Sequence, residues 1–157
     1  VNFFFHCVGP IDDQFKDMID LNESYRKIKH KMKLYGPLPI YDAYELSLVS
    51  KVGLSILHPI GNYIDSLSTK IFEYMSVGLP LIVSNFELYK FVKDESLGIL
   101  VDPLSAEDIA REITAIFSNP KRSEEVSRHA LKVVNDRYSW RSQEQKLLSF
   151  YSKIINE

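Results

Sequence analysis

The stretch that decides the fold is residues 65–80, DSLSTKIFEYMSVGLP. It places two carboxylates, Asp65 and Glu73, eight positions apart. A short helix is expected to end at Gly78 as a left-handed closing residue, and Pro80 prevents its continuation. The apolar run LIVS that follows predicts a strand. A strand, a loop and a helix in this order mark the place where open parallel sheets bind ligands, beyond the carboxyl ends of their strands.

The rest of the chain alternates apolar, β-rich runs with helical patterns, which predicts an α/β fold with a Rossmann-like parallel sheet and flanking helices. Beyond Pro103 the pattern is helical only, so a helical carboxyl-terminal tail is expected. The predicted strands are residues 2–8 (buried), 32–36, 53–58, 79–84 and 97–101. The predicted helices, besides the central one, are residues 13–31, 40–50, 87–94, 105–117, 122–135 and one from about 140.

Composition narrows the class of protein. The 157 residues are 45% hydrophobic and 25% charged, as in a globular domain large enough to bury a core. A net charge of −2 without basic clusters argues against a nucleic-acid partner. A lone cysteine, Cys7, cannot form an intrachain disulfide and favours a reducing compartment. No run is long enough for a transmembrane segment. Because the chain opens on Val1 and a core-like strand, we expect a piece of a longer protein.

The central helix has the chemistry of an anion site. Ser66 or Ser68 can cap it, which leaves the amides around Thr69 and Lys70 pointing at an anion such as a diphosphate. Lys70 adds a full positive charge. Glu73 lies ~7.5 Å along the axis from Ser68, a plausible reach from a diphosphate to a ribose whose two hydroxyls suit a carboxylate.

These residues resemble the donor-binding segment of GT-B glycosyltransferases of family 4 (glycosyl transferases group 1), specifically their carboxyl-terminal lobe. The Thr-Lys pair before Phe-Glu-Tyr-Met resembles a subgroup typical of bacterial surface-polysaccharide enzymes. Residues 34–38 match a strand that ends in glycine, residues 97–103 match the fifth-strand pattern, and residues 138–140 match an aromatic corner before the last helix. The resemblance therefore covers nearly the whole chain.

The resemblance assigns roles to particular positions. It implies that Glu73 binds the nucleotide ribose and that Asp65, where the family usually has Glu, contacts the donor sugar as the catalytic residue. It also implies that the backbone at Gly36 and Leu38 meets the nucleobase. By extension, Ser68, Thr69 and Lys70 bind the donor phosphates. Residues 1–157 would then be a single nucleotide-sugar-binding lobe, with the amino-terminal acceptor lobe absent from the chain.

The implied function is retaining transfer of a sugar from a UDP- or GDP-sugar to an acceptor sugar or lipid-linked glycan, which the missing lobe would bind. The fragment alone is expected to be inactive. No cofactor and no metal site are expected, since no spacing of His, Cys or carboxylates matches one. We expect a cytoplasmic location, or peripheral attachment to the inner membrane through the missing lobe.

Alternatives stay open at this point. One is a sugar-nucleotide 2-epimerase lobe, which shares the two-lobed architecture, and another is a non-catalytic α/β interaction module. In that module Lys70 and Glu73 would form a solvated i, i+3 pair and Asp65 would sit in a turn. The apolar stripe over residues 147–155 is most simply core packing, part of which the missing lobe would otherwise cover.

Overall fold

The computed structural model describes residues 3–155 and divides into two compact units, one up to Val49 and one from Ser50 onward. Both units combine parallel strands with flanking helices, which confirms the predicted α/β class. The single lobe expected over residues 1–157 stays a prediction. None of the helices in residues 3–155 is long and apolar enough to cross a bilayer.

The first unit is built on a parallel pair of strands. Strand β1 (Phe5–Val8) pairs with β2 (Met32–Gly36), and their register shifts between Cys7 and Val8. Its helices are α1 (Asp13–Leu21), α2 (Glu23–Ile28) and α3 (Ile40–Leu48), with a 3-10 turn at Lys29–Lys31.

Two sequence expectations for this unit are wrong. The helix expected over residues 13–31 breaks at Asn22, because the side-chain oxygen of Asn22 accepts the Tyr25 amide at 3.0 Å and starts a new helix. The first strand is not buried: half-buried and exposed residues alternate along Phe5–Val8. Asn2, where that strand was expected to begin, lies outside the described residues.

The second unit contains a parallel sheet in the order β3 (Gly53–Ser55), β4 (Leu81–Ser84), β5 (Gly98–Val101). Helix α4 (Thr69–Ser76) connects β3 to β4, and a 3-10 turn at Glu87–Tyr89 followed by α5 (Lys90–Asp94) connects β4 to β5. These strand–helix–strand units are those that the alternating pattern predicts.

The tail after β5 is helical, as expected. It comprises α6 (Ala106–Ser118), α7 (Pro120–Val133), a π-helical turn (Val134–Tyr138) and α8 (Trp140–Ile155). The Ser105 hydroxyl caps α6 by accepting the Asp108 amide at 3.1 Å. The expectation of core packing for the stripe on α8 is wrong, because its apolar side chains from Leu147 to Ile155 are exposed.

The core of the second unit forms around α4. Ile71 and Met75 on this helix are fully buried together with the residues of β4. Phe72 stacks in an aromatic cluster with Tyr138, at 5.0 Å between ring centroids, and Phe91, at 6.2 Å. Gly53 lets the helix approach the sheet, because a Cβ there would lie 2.4 Å from Cδ2 of Tyr74. Helix α4 is therefore fixed firmly to the sheet.

Candidate functional site

The amino terminus of α4 lies beyond the carboxyl end of β3. The chain leaves β3 at Ser55, runs through a mostly exposed loop and enters α4 at Thr69. In a parallel sheet this edge is where ligands bind, because the helices that follow the strands direct their amino termini there. The helix ends as predicted: Gly78 adopts a left-handed conformation with φ of +72°.

The amino terminus of α4 has no side-chain cap, which corrects one expectation. Ser68 takes the N-cap position with extended backbone, but its hydroxyl makes no capping bond. The Ser66 hydroxyl has no hydrogen bond within residues 3–155 either. The Ile71 amide donates to the Ser68 carbonyl at 3.2 Å, so the amides of Thr69 and Lys70 before it have no intrahelical acceptor. Uncapped donors of this kind suit a bound anion.

The central segment carries three charged residues, Asp65 in the loop before α4 and Lys70 and Glu73 on the helix itself. Asp65 and Lys70 are exposed, whereas Glu73, one turn further along α4, is half-buried. In the described part of the chain neither Lys70 nor Glu73 belongs to a salt bridge, so the i, i+3 pair of the module interpretation does not form. An acid and a base that are neighbours and remain unpaired are both available to a ligand.

Tyr89 holds the loop that enters α4, and sequence reasoning missed it. Its side chain is fully buried, and its hydroxyl donates to the Ser66 carbonyl at 3.2 Å. Burial raises the pKa of Tyr89, against a smaller lowering by a hydrogen bond from the Ser68 backbone. The hydroxyl thus joins both ends of the short segment that precedes the helix. No local pattern could reveal it, since 23 residues separate Tyr89 from Ser66.

Ser84 fixes the start of the same loop and explains why β3 is shorter than expected. Its buried hydroxyl accepts the Leu57 amide at 2.7 Å and donates to the Leu57 carbonyl at 2.9 Å. Because the Ser84 side chain hydrogen-bonds both backbone groups of Leu57, the pairing of β3 with β4 stops at Ser55, opposite Val83. Residues 56–58, expected as strand, begin the loop instead.

The two residues expected at the nucleobase belong to the first unit. Gly36 ends β2 with φ of +71°, and its carbonyl accepts the Gly9 amide at 2.9 Å. Leu38 follows in the turn before α3 and is half-buried. The structure thus places Ser68, Thr69, Lys70 and Glu73 in the first two turns of α4 and its N-cap, and Asp65 in the exposed loop before it. Gly36 and Leu38 lie in and just after a glycine turn of the first unit.

Other polar groups in the described residues do not suggest a metal or nucleophile site. No group of three or more His, Cys, Asp or Glu side chains in residues 3–155 could hold a metal ion. Burial raises the pKa of the Cys7 thiol, which disfavours the reactive thiolate. His6 is paired through Nδ1 with the Tyr35 hydroxyl at 2.9 Å.

Solved structures with the same fold are larger enzymes. A glycosyltransferase from Rickettsia africae has a TM-score of 0.81 at 20% identity, over 98% of this chain and 40% of that one. Sucrose-phosphate synthase from Thermosynechococcus elongatus has a TM-score of 0.76 at 20% identity, over 96% of this chain and 38% of that one. WaaG, a glycosyltransferase involved in lipopolysaccharide biosynthesis, has a TM-score of 0.67 at 13% identity, over 85% of this chain and 34% of that one. The chain thus spans about two fifths of the first of these structures.

The chain shares its fold with part of each of these larger structures, as the resemblance implied. A family model described as glycosyl transferase-like matches residues 2–149. The chain belongs to this glycosyl transferase-like family. Comparison with curated proteins gives no significant match.

Proposed function

We propose that this chain is the donor-binding lobe of a glycosyltransferase and binds a nucleoside-diphosphate sugar at the amino terminus of α4. The observation that carries the proposal is the uncapped start of that helix, with Lys70 unpaired in its first turn and Glu73 half-buried one turn on. A diphosphate supplies the acceptors that the Thr69 and Lys70 amides lack, and membership of the glycosyl transferase-like family supports transfer as the reaction.

The proposal names one contact for each part of the donor. The diphosphate lies at Ser68, Thr69 and Lys70, and the Glu73 carboxylate accepts hydrogen bonds from both ribose hydroxyls. Asp65, in the exposed loop, contacts the transferred sugar. The backbone at Gly36 and Leu38 contacts the nucleobase of the UDP- or GDP-sugar. The proposed contacts of Ser68, Thr69, Lys70 and Glu73 rest on the resemblance and on the geometry of α4, whereas those of Asp65, Gly36 and Leu38 rest on the resemblance alone.

The chemistry requires stabilisation of a leaving group. The bond between the sugar C1 and the diphosphate oxygen breaks, the electron pair leaves with the nucleoside diphosphate, and an acceptor hydroxyl forms the new bond and loses its proton. Helix amides and Lys70 stabilise the charge that develops on the diphosphate. Retention of configuration, a lipid-linked or sugar acceptor and a role in bacterial surface polysaccharide synthesis follow from the resemblance, and the acceptor would be bound outside this chain.

Nucleotide titration tests the proposal. UDP and GDP are titrated into the 157-residue chain by calorimetry, and one of them is expected to bind. Loss of a charge-assisted hydrogen-bonded pair costs about 1.5–3 kcal/mol, so Glu73→Ala should bind about 10- to 100-fold more weakly. Glu124→Ala is the matched control, since Glu124 is an exposed helix acid on α7. The proposal fails if neither nucleotide binds, or if Glu73→Ala binds as tightly as the control.

A second measurement separates transfer from epimerisation. The full-length protein is incubated with the donor that binds, without an acceptor, and the donor's sugar protons are followed by NMR. A glycosyltransferase leaves the configuration at C2 unchanged, whereas a 2-epimerase inverts it. Inversion at C2 would replace the proposed reaction while leaving the donor site in place.

A further inference from the structure

A cavity of about 600 Å³ lies in the second unit, lined by β5 and by the corner at which α6 meets α7. Its volume is within the range of small-molecule sites. Its body is aliphatic, formed by Ile99 and Leu100 of β5, Ile116 of α6 and Val126 of α7. None of its lining residues is aromatic or acidic, and none belongs to the proposed donor site.

The corner that forms one wall is held by hydrogen bonds. Asn119 ends α6 and caps α7, since its side chain accepts the Arg122 amide at 3.1 Å. The Ser123 hydroxyl donates to the Ile116 carbonyl at 3.0 Å. Together with Pro120 in the first turn of α7, these bonds fix the backbone of the corner between Ile116 and Arg122. The wall is thus preformed.

The charge of the lining is one-sided. Lys93 and Arg122 both line the cavity, and in residues 3–155 neither belongs to a salt bridge. Two unpaired cations beside an apolar cavity favour an anion. Their aliphatic stems can line the cavity while the charged heads stay at its mouth.

We propose that this cavity binds an aliphatic anion, a hydrocarbon chain that ends in a carboxylate or a phosphate. The chain lies against Ile99, Leu100, Ile116 and Val126, and the head group contacts Lys93 and Arg122. The absence of aromatic lining residues removes the stacking surface that a nucleobase uses, and the apolar body offers few partners for a sugar's hydroxyls. The site is independent of the proposed donor site.

Titration of the 157-residue chain with decanoate, decyl phosphate, decanol and inorganic phosphate, all in monomeric solution, tests this proposal. Saturable binding of decanoate or decyl phosphate is expected, and the tighter one identifies the head group. Affinity should rise by up to about fourfold per added methylene, until the chain outgrows the cavity. Decanol and inorganic phosphate, which each lack one half of the ligand, should bind at least about tenfold more weakly.

Variants locate the binding. Arg122→Gln and Lys93→Gln should each weaken anion binding about three- to fivefold and leave decanol binding unchanged. Lys121→Gln, on the same helix turn but outside the lining, is the matched control. Ala115→Trp fills the cavity and should abolish binding of the chain, with circular dichroism as the folding check.

The proposal is overturned if decanol binds as tightly as both anions, or if neither anion shows saturable binding. Equal affinities in Arg122→Gln, Lys93→Gln and Lys121→Gln would also overturn it. If Ala115→Trp fails to fold, the two surface charge variants still decide the question, because both side chains are exposed.

Discussion

The hydroxyl of Tyr89 gives the sharpest test of how the site is held. Tyr89→Phe removes the donor to the Ser66 carbonyl and the acceptor near Ser68, but keeps the ring in its contact with Phe86, 5.5 Å between centroids. A typical intramolecular hydrogen bond contributes about 0.5–1.5 kcal/mol net. Because Ser66 is exposed and water can replace the lost donor, we expect about 0.5–1 kcal/mol of destabilisation, or about 1–4 °C in Tm.

The pH dependence of this variant has a definite sign. Burial raises the pKa of Tyr89 above its ordinary value of 10.0, so the folded state holds the phenol proton more tightly than the unfolded state. The contribution of the neutral hydroxyl is fully present below pH 10 and is lost as pH rises through the folded-state pKa. The stability difference between wild type and Tyr89→Phe should therefore shrink above pH 10.

Urea unfolding followed by far-UV circular dichroism measures both effects, with Tyr41→Phe as control, since the Tyr41 side chain is 79% exposed. UDP or GDP affinity is measured on the same samples and should fall about three- to tenfold, because the loop and the start of α4 lose an anchor. The reasoning is refuted if Tyr89→Phe matches the control in stability at neutral pH and in nucleotide affinity.

Three further outcomes are expected. Gly53→Ala should lower the free energy of unfolding by about 1–3 kcal/mol in urea titrations, because its Cβ would overlap the Tyr74 ring; an unchanged midpoint would contradict this. Ser84→Ala should lower the free energy of unfolding by about 1–3 kcal/mol, because both backbone groups of Leu57 lose their hydrogen-bond partner. Ser55→Ala should be neutral or stabilising in the same assay, because the buried Ser55 hydroxyl has no partner in residues 3–155. Equal effects of the two substitutions would count against this interpretation. Lys70→Gln should weaken UDP or GDP binding about three- to tenfold and leave the weaker binding of the free nucleoside unchanged, as measured by calorimetry. Equal losses of affinity for nucleotide and nucleoside would show that Lys70 does not contact the phosphates.

Local patterns predicted most of the second unit. The end of α4 at Gly78 and the start of α6 at Ser105 rest on residues within one turn of the event, and the structure confirms both. The break at Asn22 also had a local signal, an Asn followed by Glu at a helix start. The helix was nevertheless extended past it from the helical spacing of the apolar residues between Ile11 and Ile19.

Features that depend on distant residues could not be predicted. The early end of β3 depends on Ser84, 27 residues from Leu57, and the anchor of the loop depends on Tyr89. No sequence pattern around a serine or a tyrosine predicts which distant backbone group its hydroxyl will contact. The cavity beside β5 likewise arises from the packing of separate elements, whose residues are each ordinary in sequence.

The packing of α4 against the sheet determines which parts of this unit can change in sequence. The helix is fixed by Gly53, by the aromatic cluster around Phe72 and by Tyr89, so substitutions at these positions would disturb its place on the sheet. Residues 59–67, by contrast, are exposed and can change at small cost to the fold. In the proposed donor site, substitutions in residues 59–67 would therefore alter the surroundings of the transferred sugar and leave the helix that holds the nucleotide unchanged.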